Sequence, residues 1–197
     1  MRTGKKLLFD NIWKYALIAV LIVFFWTGIY ENLSQVKANQ RVTVAVYNIE
    51  CDTQVLRDKL WAKLPELTRQ EVLELYVDDL NHIPNQTYAT DILLAQVLQS
   101  DLVIMPESLL KELDVSVCFS AIPEMLQADG GYLSEGVQYG IRIVPTSRFI
   151  SYCNTDEPCY LLVNGSSANL GGLLNKGEAK DDAAIRILEY LLEEIGQ

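Results

Sequence analysis

The side chains that could do chemistry are few. His82 is the single histidine of the chain, so any Ser–His–acid or Cys–His arrangement would have to use it. The acids beside it in sequence are Asp78 and Asp79. No Gly-x-Ser-x-Gly surrounds a candidate serine. Gly165, Gly171 and Gly172 are not followed by the Gly-Lys-Ser/Thr of a phosphate loop. The four cysteines, Cys51, Cys118, Cys153 and Cys159, match no zinc spacing and include no Cys-x-x-Cys redox pair. Cys153 and Cys159 bracket the turn-forming segment Asn-Thr-Asp-Glu-Pro and are expected to close a small disulfide loop. Cys51 and Cys118 are left as a second pair or as buried thiols. Adjacent acids such as Asp78-Asp79 and Asp181-Asp182 offer oxygen ligands to a cation but read more simply as surface charge. No catalytic residue, metal site or cofactor is assigned. A hydrolase with a site near His82 and Asp78/Asp79 is kept as the alternative function.

Charge narrows the partners. The chain carries a net −10, and its first thirty residues hold four basic and one acidic side chain, which leaves −13 on the remainder. A nucleic-acid partner is excluded by that balance. Asn32, Asn85 and Asn164 begin Asn-x-Ser/Thr triplets, which have a consequence only in a glycosylating host.

The elements that position these groups begin with an apolar run, Tyr15–Tyr30, preceded by Arg2, Lys5, Lys6 and Lys14 and followed by Glu31. It reads as a transmembrane signal anchor over 13–30, with 1–12 a cytoplasmic tail, 31–41 a stalk and 42–197 an extracytoplasmic domain. Trp13, Tyr15, Trp26 and Tyr30 would form the interfacial belts. The absence of a small-x-small motif argues against cleavage as a signal peptide. The implied location is the cell membrane, single-pass, with the N-terminus cytoplasmic, and a partner in the membrane itself.

Beyond the stalk, Val42–Tyr47 is β-branched and reads as a buried strand. Asp52-Thr53 caps a helix to Leu67, and Glu71–Val77 is a second strand. Thr90 or Asp91 opens a second helix, and Asp101–Met105 is a third strand. Strands alternating with helices predict an α/β domain with a mostly parallel sheet, its first strand central between the other two. Further on, Val115–Cys118 reads as a short strand and Ala121–Gln127 as a brief helix. Tyr139–Val144 and Cys159–Asn164 read as strands, and Asp181–Glu194 as an amphipathic helix.

The β-α-β-α-β start, the segment Asp101-Leu-Val-Ile-Met-Pro-Glu107, the strand Tyr139-Gly-Ile-Arg-Ile143, the Ser/Asn/Gly loop 165–172 and the closing helix resemble one lobe of a type 2 extracytoplasmic solute-binding protein. The resemblance implies a receptor-like, non-enzymatic accessory or interaction module of a transport or sensing system in a bacterial envelope, with an envelope protein such as a permease or sensor as partner. The chain is too short between Val144 and Cys159 for a second lobe. A shallow groove and weak small-molecule binding are therefore expected. Open α/β sheets bind ligands at the carboxyl ends of their strands. That rule nominates Tyr47, Asn48, Asp78, Asp79, Glu107 and Ser108, with Ser166, Ser167 and Asn169 as neighbours.

Overall fold

The computed structural model describes residues 12–34, 36–81, 89–127, 130–143, 153–154, 157–171 and 180–195. His82 and Asn85, and with them the hydrolase alternative, lie outside these residues.

Helix α1, Ile12–Ser34, belongs to a unit of its own, Met1–Val36, separate from the unit Lys37–Gln197. Among the described residues no helix is long and apolar enough to cross a membrane. This overturns the transmembrane signal anchor over 13–30, the single-pass topology, and the cell-membrane location with a cytoplasmic tail and an extracytoplasmic domain. The physical reason is length. The apolar run between Lys14 and Glu31 is sixteen residues and rises about 24 Å, against a hydrocarbon core of about 30 Å.

In the second unit the chain starts with a 3-10 turn, Ala38–Gln40, and strand β1, Arg41–Tyr47. The two-residue strand β2, Glu50–Cys51, leads into α2, Thr53–Leu67. Asp52 caps α2 by accepting the Val55 N–H at 3.0 Å. Strand β3, Glu74–Leu80, helix α3, Ala89–Gln99, and strand β4, Leu102–Pro106, complete the alternation. Two single-turn helices follow, α4, Glu107–Leu110, and α5, Val115–Cys118. The hairpin β5, Tyr132–Ser134, and β6, Val137–Ile143, precedes β7, Cys153–Asn154, β8, Cys159–Val163, and the closing helix α6, Ala183–Ile195.

The main sheet has six strands in the order β3-β1-β4-β8-β6-β5, with β2 and β7 forming a separate two-stranded ribbon. β1 lies between β3 and β4 and is parallel to both. The expected mostly parallel sheet is corrected to a mixed one: β8 runs antiparallel to β4, and the β8–β6 and β6–β5 pairs are antiparallel as well. The β5–β6 hairpin turns through Glu135 (φ 51°) and Gly136 (φ 81°), two consecutive left-handed residues that match the twist of a tight hairpin. Val115–Cys118 is a helical turn instead of a strand. Asp114 accepts the Ser116 N–H at 3.2 Å and the Ser116 hydroxyl at 2.6 Å, which closes the turn despite the β-branched residues.

Alternation along β1 divides the core between the two faces of the sheet. Val42, Val44 and Val46 pack with Leu56, Leu60 and Leu64 of α2 and with Ala184, Ile187, Leu188 and Leu191 of α6. Ala45 and Tyr47 pack on the other face with Leu93 and Val97 of α3 and with Leu109, Leu110, Val115 and Cys118. Central strands buried on both sides need apolar residues at every position, hence the lack of polar alternation in β1.

Gly140 of β6 sits where the sheet leaves no room for a side chain. A Cβ there would meet Tyr160 Cβ at 3.2 Å and Tyr132 Cβ at 3.3 Å, beneath the edge-to-face pair those tyrosines make at 5.4 Å. Gly140→Val is expected to lower stability by about 1–3 kcal/mol through overpacking. Thermal melting followed by near-UV circular dichroism checks this. An unchanged melt with an unchanged tyrosine signal would contradict the packing described.

Candidate functional site

One cleft of about 510 Å³ opens on the face that carries α3. Its floor is the outer part of β3, where Leu75 and Val77 point to the α2/α6 side and Tyr76 and Asp78 are left exposed. Thr43 and Arg41 contribute from the start of β1, Gln96 and Gln99 from the end of α3, Ser100 and Asp101 from the entry to β4, and Ser166 and Ser167 from the loop after β8. Because β8 is antiparallel to β4, Val163 lies beside Leu102 and the following loop arrives at the amino end of β1 and β4.

That loop is fastened through one buried carboxylate. Asp101 is 8% exposed. One of its oxygens accepts the Thr43 N–H at 2.8 Å. The other accepts the Asn169 amide at 3.0 Å and the Ser167 hydroxyl. Ser167 Oγ in turn accepts the Asn169 N–H at 3.0 Å. Asn169 also donates to the Arg41 carbonyl at 2.8 Å, and its own side-chain oxygen accepts from Gln70 at 2.5 Å. Asn164 donates to the carbonyls of Val97 (3.0 Å) and Ser100 (2.6 Å) and accepts the Ser166 N–H at 2.7 Å. Burial pushes the Asp101 carboxyl above its ordinary range; the hydrogen bonds from Ser167, Asn169 and Thr43 and the charge of Arg41 pull the other way without reversing it.

The chemistry open to the cleft follows from which groups the fold already uses. Ser167 is 7% exposed and engaged on both sides. The Ser100 hydroxyl donates to the Gln96 carbonyl at 3.0 Å. Asp101 accepts three hydrogen bonds and is a positioning group. The side chains of Arg41, Tyr76, Asp78, Gln96, Gln99 and Ser166 make no hydrogen bond among the described residues and can turn toward a ligand. Among the described residues no three His, Cys, Asp or Glu side chains are grouped so as to hold a metal ion.

The nominated residues fall at opposite ends of the sheet. Ser166 lines the cleft and Asn169, 1% exposed, stands behind it. Tyr47, Asn48, Glu107 and Ser108 sit at the far end, where β1 and β4 finish. Tyr47 is fully buried, its hydroxyl has no hydrogen-bond partner among the described residues, and burial together with the Asp78 charge makes it a weaker acid than usual. Asn48 adopts φ 49° and its N–H donates to the Leu80 carbonyl at 3.0 Å, so it turns the chain. Glu107 pairs with Lys111 at 2.7 Å, and Ser108 donates to Glu157 at 3.2 Å. Cys159 is a buried thiol that donates to the Glu157 carbonyl at 3.4 Å. Cys153 lies on β7, opposite Cys51.

Sequence reasoning passed over Arg41, Tyr76, Gln96 and Gln99. Arg41 had been placed in the stalk. The polar alternation Tyr76-Val77-Asp78 was the available sign that β3 leaves one face open. Comparison with protein-family models, with curated proteins and with solved structures gives no match.

Proposed function

We propose that residues 37–197 are a non-enzymatic binding module that takes a small polar solute into the cleft and serves a transport or sensing system through a partner protein. The observation that carries this is the division of labour in the cleft. Ser100, Ser167 and Asp101 are engaged in the fold, whereas Arg41, Tyr76, Asp78, Gln96, Gln99 and Ser166 line the cleft and present donors and acceptors of both kinds. Such a lining recognises hydroxyl, amide and carboxylate groups. The resemblance of the sequence motifs to one lobe of a type 2 solute-binding protein supports the transport or sensing role, though without a second lobe it implies weak solute binding. The cleft favours a small solute more than the shallow groove expected at the strand ends did.

The test is calorimetry of the full chain against free amino acids, monosaccharides and short oligopeptides. One class is expected to bind, and Gln99→Ala or Arg41→Ala is expected to weaken it at least tenfold, about 1.4 kcal/mol, with the circular dichroism spectrum unchanged. Binding that neither variant alters, or no binding by any class, would contradict the proposal.

A further inference from the structure

The ribbon β2–β7 places Cys51 directly opposite Cys153 in antiparallel register, with Glu50 opposite Asn154 beside them. Directly opposed residues of an antiparallel pair have Cα atoms about 4.5–5.5 Å apart. That span lies inside the roughly 4.4–6.8 Å that a disulfide requires. The remaining cysteines are placed differently. Cys118 is buried in the cluster on the α3 side of the sheet, while Cys51 packs against the cluster on the α2/α6 side. Cys159 is 1% exposed at the start of β8. Cys51 is partly exposed, so a small oxidant reaches it before either buried thiol.

We propose that Cys51 and Cys153 form a cross-strand disulfide. With oxidised glutathione as the oxidant, the Cys51 thiolate attacks one glutathione sulfur. The glutathione S–S bond breaks, one glutathione thiolate leaves, and a mixed disulfide remains on Cys51. The Cys153 thiolate then attacks the Cys51 sulfur and releases the second glutathione. The two cysteines lose two electrons and two protons, and one glutathione disulfide becomes two glutathione thiols. The bridge joins the corner between β1 and α2 to the segment entering β8. It closes a loop of about one hundred residues, which restricts the unfolded chain more than a short loop does. A Cys153–Cys159 bridge, the pairing expected from spacing in sequence, would close only a few residues.

The experiment is oxidation of the full chain with glutathione disulfide, alkylation, and digestion with trypsin plus an Asp-directed protease, which cuts between Cys153 and Cys159 at Asp156. Mass spectrometry is expected to find the Cys51 peptide linked to the Cys153 peptide. The oxidised protein is expected to melt several degrees above the reduced one. That shift is expected to vanish in Cys51→Ser and to persist in Cys118→Ser and Cys159→Ser. If Cys51→Ser fails to fold, Cys153→Ser and the dithiothreitol-reduced parent give the same comparison. A Cys153–Cys159 linkage, mixed glutathione disulfides alone, or loss of the shift in Cys159→Ser would overturn the proposal.

Discussion

Replacing Val44 with aspartate is expected to destabilise the domain by about 4 kcal/mol or more, enough to unfold a protein of ordinary stability. Val44 is fully buried in β1, between Val77 of β3 and Leu102 of β4. It sits in the cluster with Leu60, Leu64, Ile187 and Leu188. A carboxylate there would find no cation, and a buried unpaired charge has no cheap alternative. Val44→Ala removes only two methyl groups and is expected to cost about 1–3 kcal/mol. Urea unfolding of both variants checks the ranking through their midpoints. A loss below about 1 kcal/mol for the aspartate variant would mean that β1 is not the doubly covered central strand.

The second large effect concerns Asp101. Asp101→Asn keeps the shape but sets an N–H donor against donors that now reach a carboxylate: the Thr43 N–H, the Asn169 amide and the Ser167 hydroxyl. A loss of about 2–4 kcal/mol at neutral pH is expected. The pH dependence has a definite sign. Burial raises the folded-state pKa of Asp101 above the ordinary aspartate range. Its contribution to stability is therefore fully present below the unfolded value and is lost as pH rises through the folded one. The advantage of the parent over Asp101→Asn is thus expected to grow on acidification, from above the folded pKa down to the unfolded value. Chemical denaturation at a series of pH values reads this difference directly. An advantage that shrinks with acid would show that hydrogen bonding, and not burial, dominates at Asp101.

Part of this arrangement was legible in the sequence. β1, α2 and β4 were read within a residue or so because apolar runs and the Asp52 cap are local signals. The central place of β1 followed from the resemblance and from crossovers that put helices on both faces of the sheet. The direction of β8 did not, because a fully buried strand reads the same parallel or antiparallel. The site depends on that direction. With β8 reversed, Ser166 and Asn169 move away from Tyr47, Asn48, Glu107 and Ser108 to the amino end of β1, and the ligand groups nominated together separate. Val115–Cys118 misled because its composition favours a strand, whereas the Asp114 side chain fixes a turn. The apolar run of α1 reads as an anchor from its flanking charges and interfacial aromatics, but its sixteen residues fall short of the hydrocarbon core.

The two ends of the sheet make competing predictions for where a ligand acts, and backbone amide spectra separate them most directly. The full chain, labelled with nitrogen-15, would be titrated with the free amino acids, monosaccharides and short oligopeptides of the calorimetric panel. The cleft account predicts shifts that saturate together and cluster at Arg41, Thr43, Tyr76, Asp78, Gln96, Gln99 and Ser166, with Glu107 and Ser108 unmoved. Shifts centred instead on Tyr47, Asn48, Glu107 and Ser108, with the cleft residues silent, would contradict it.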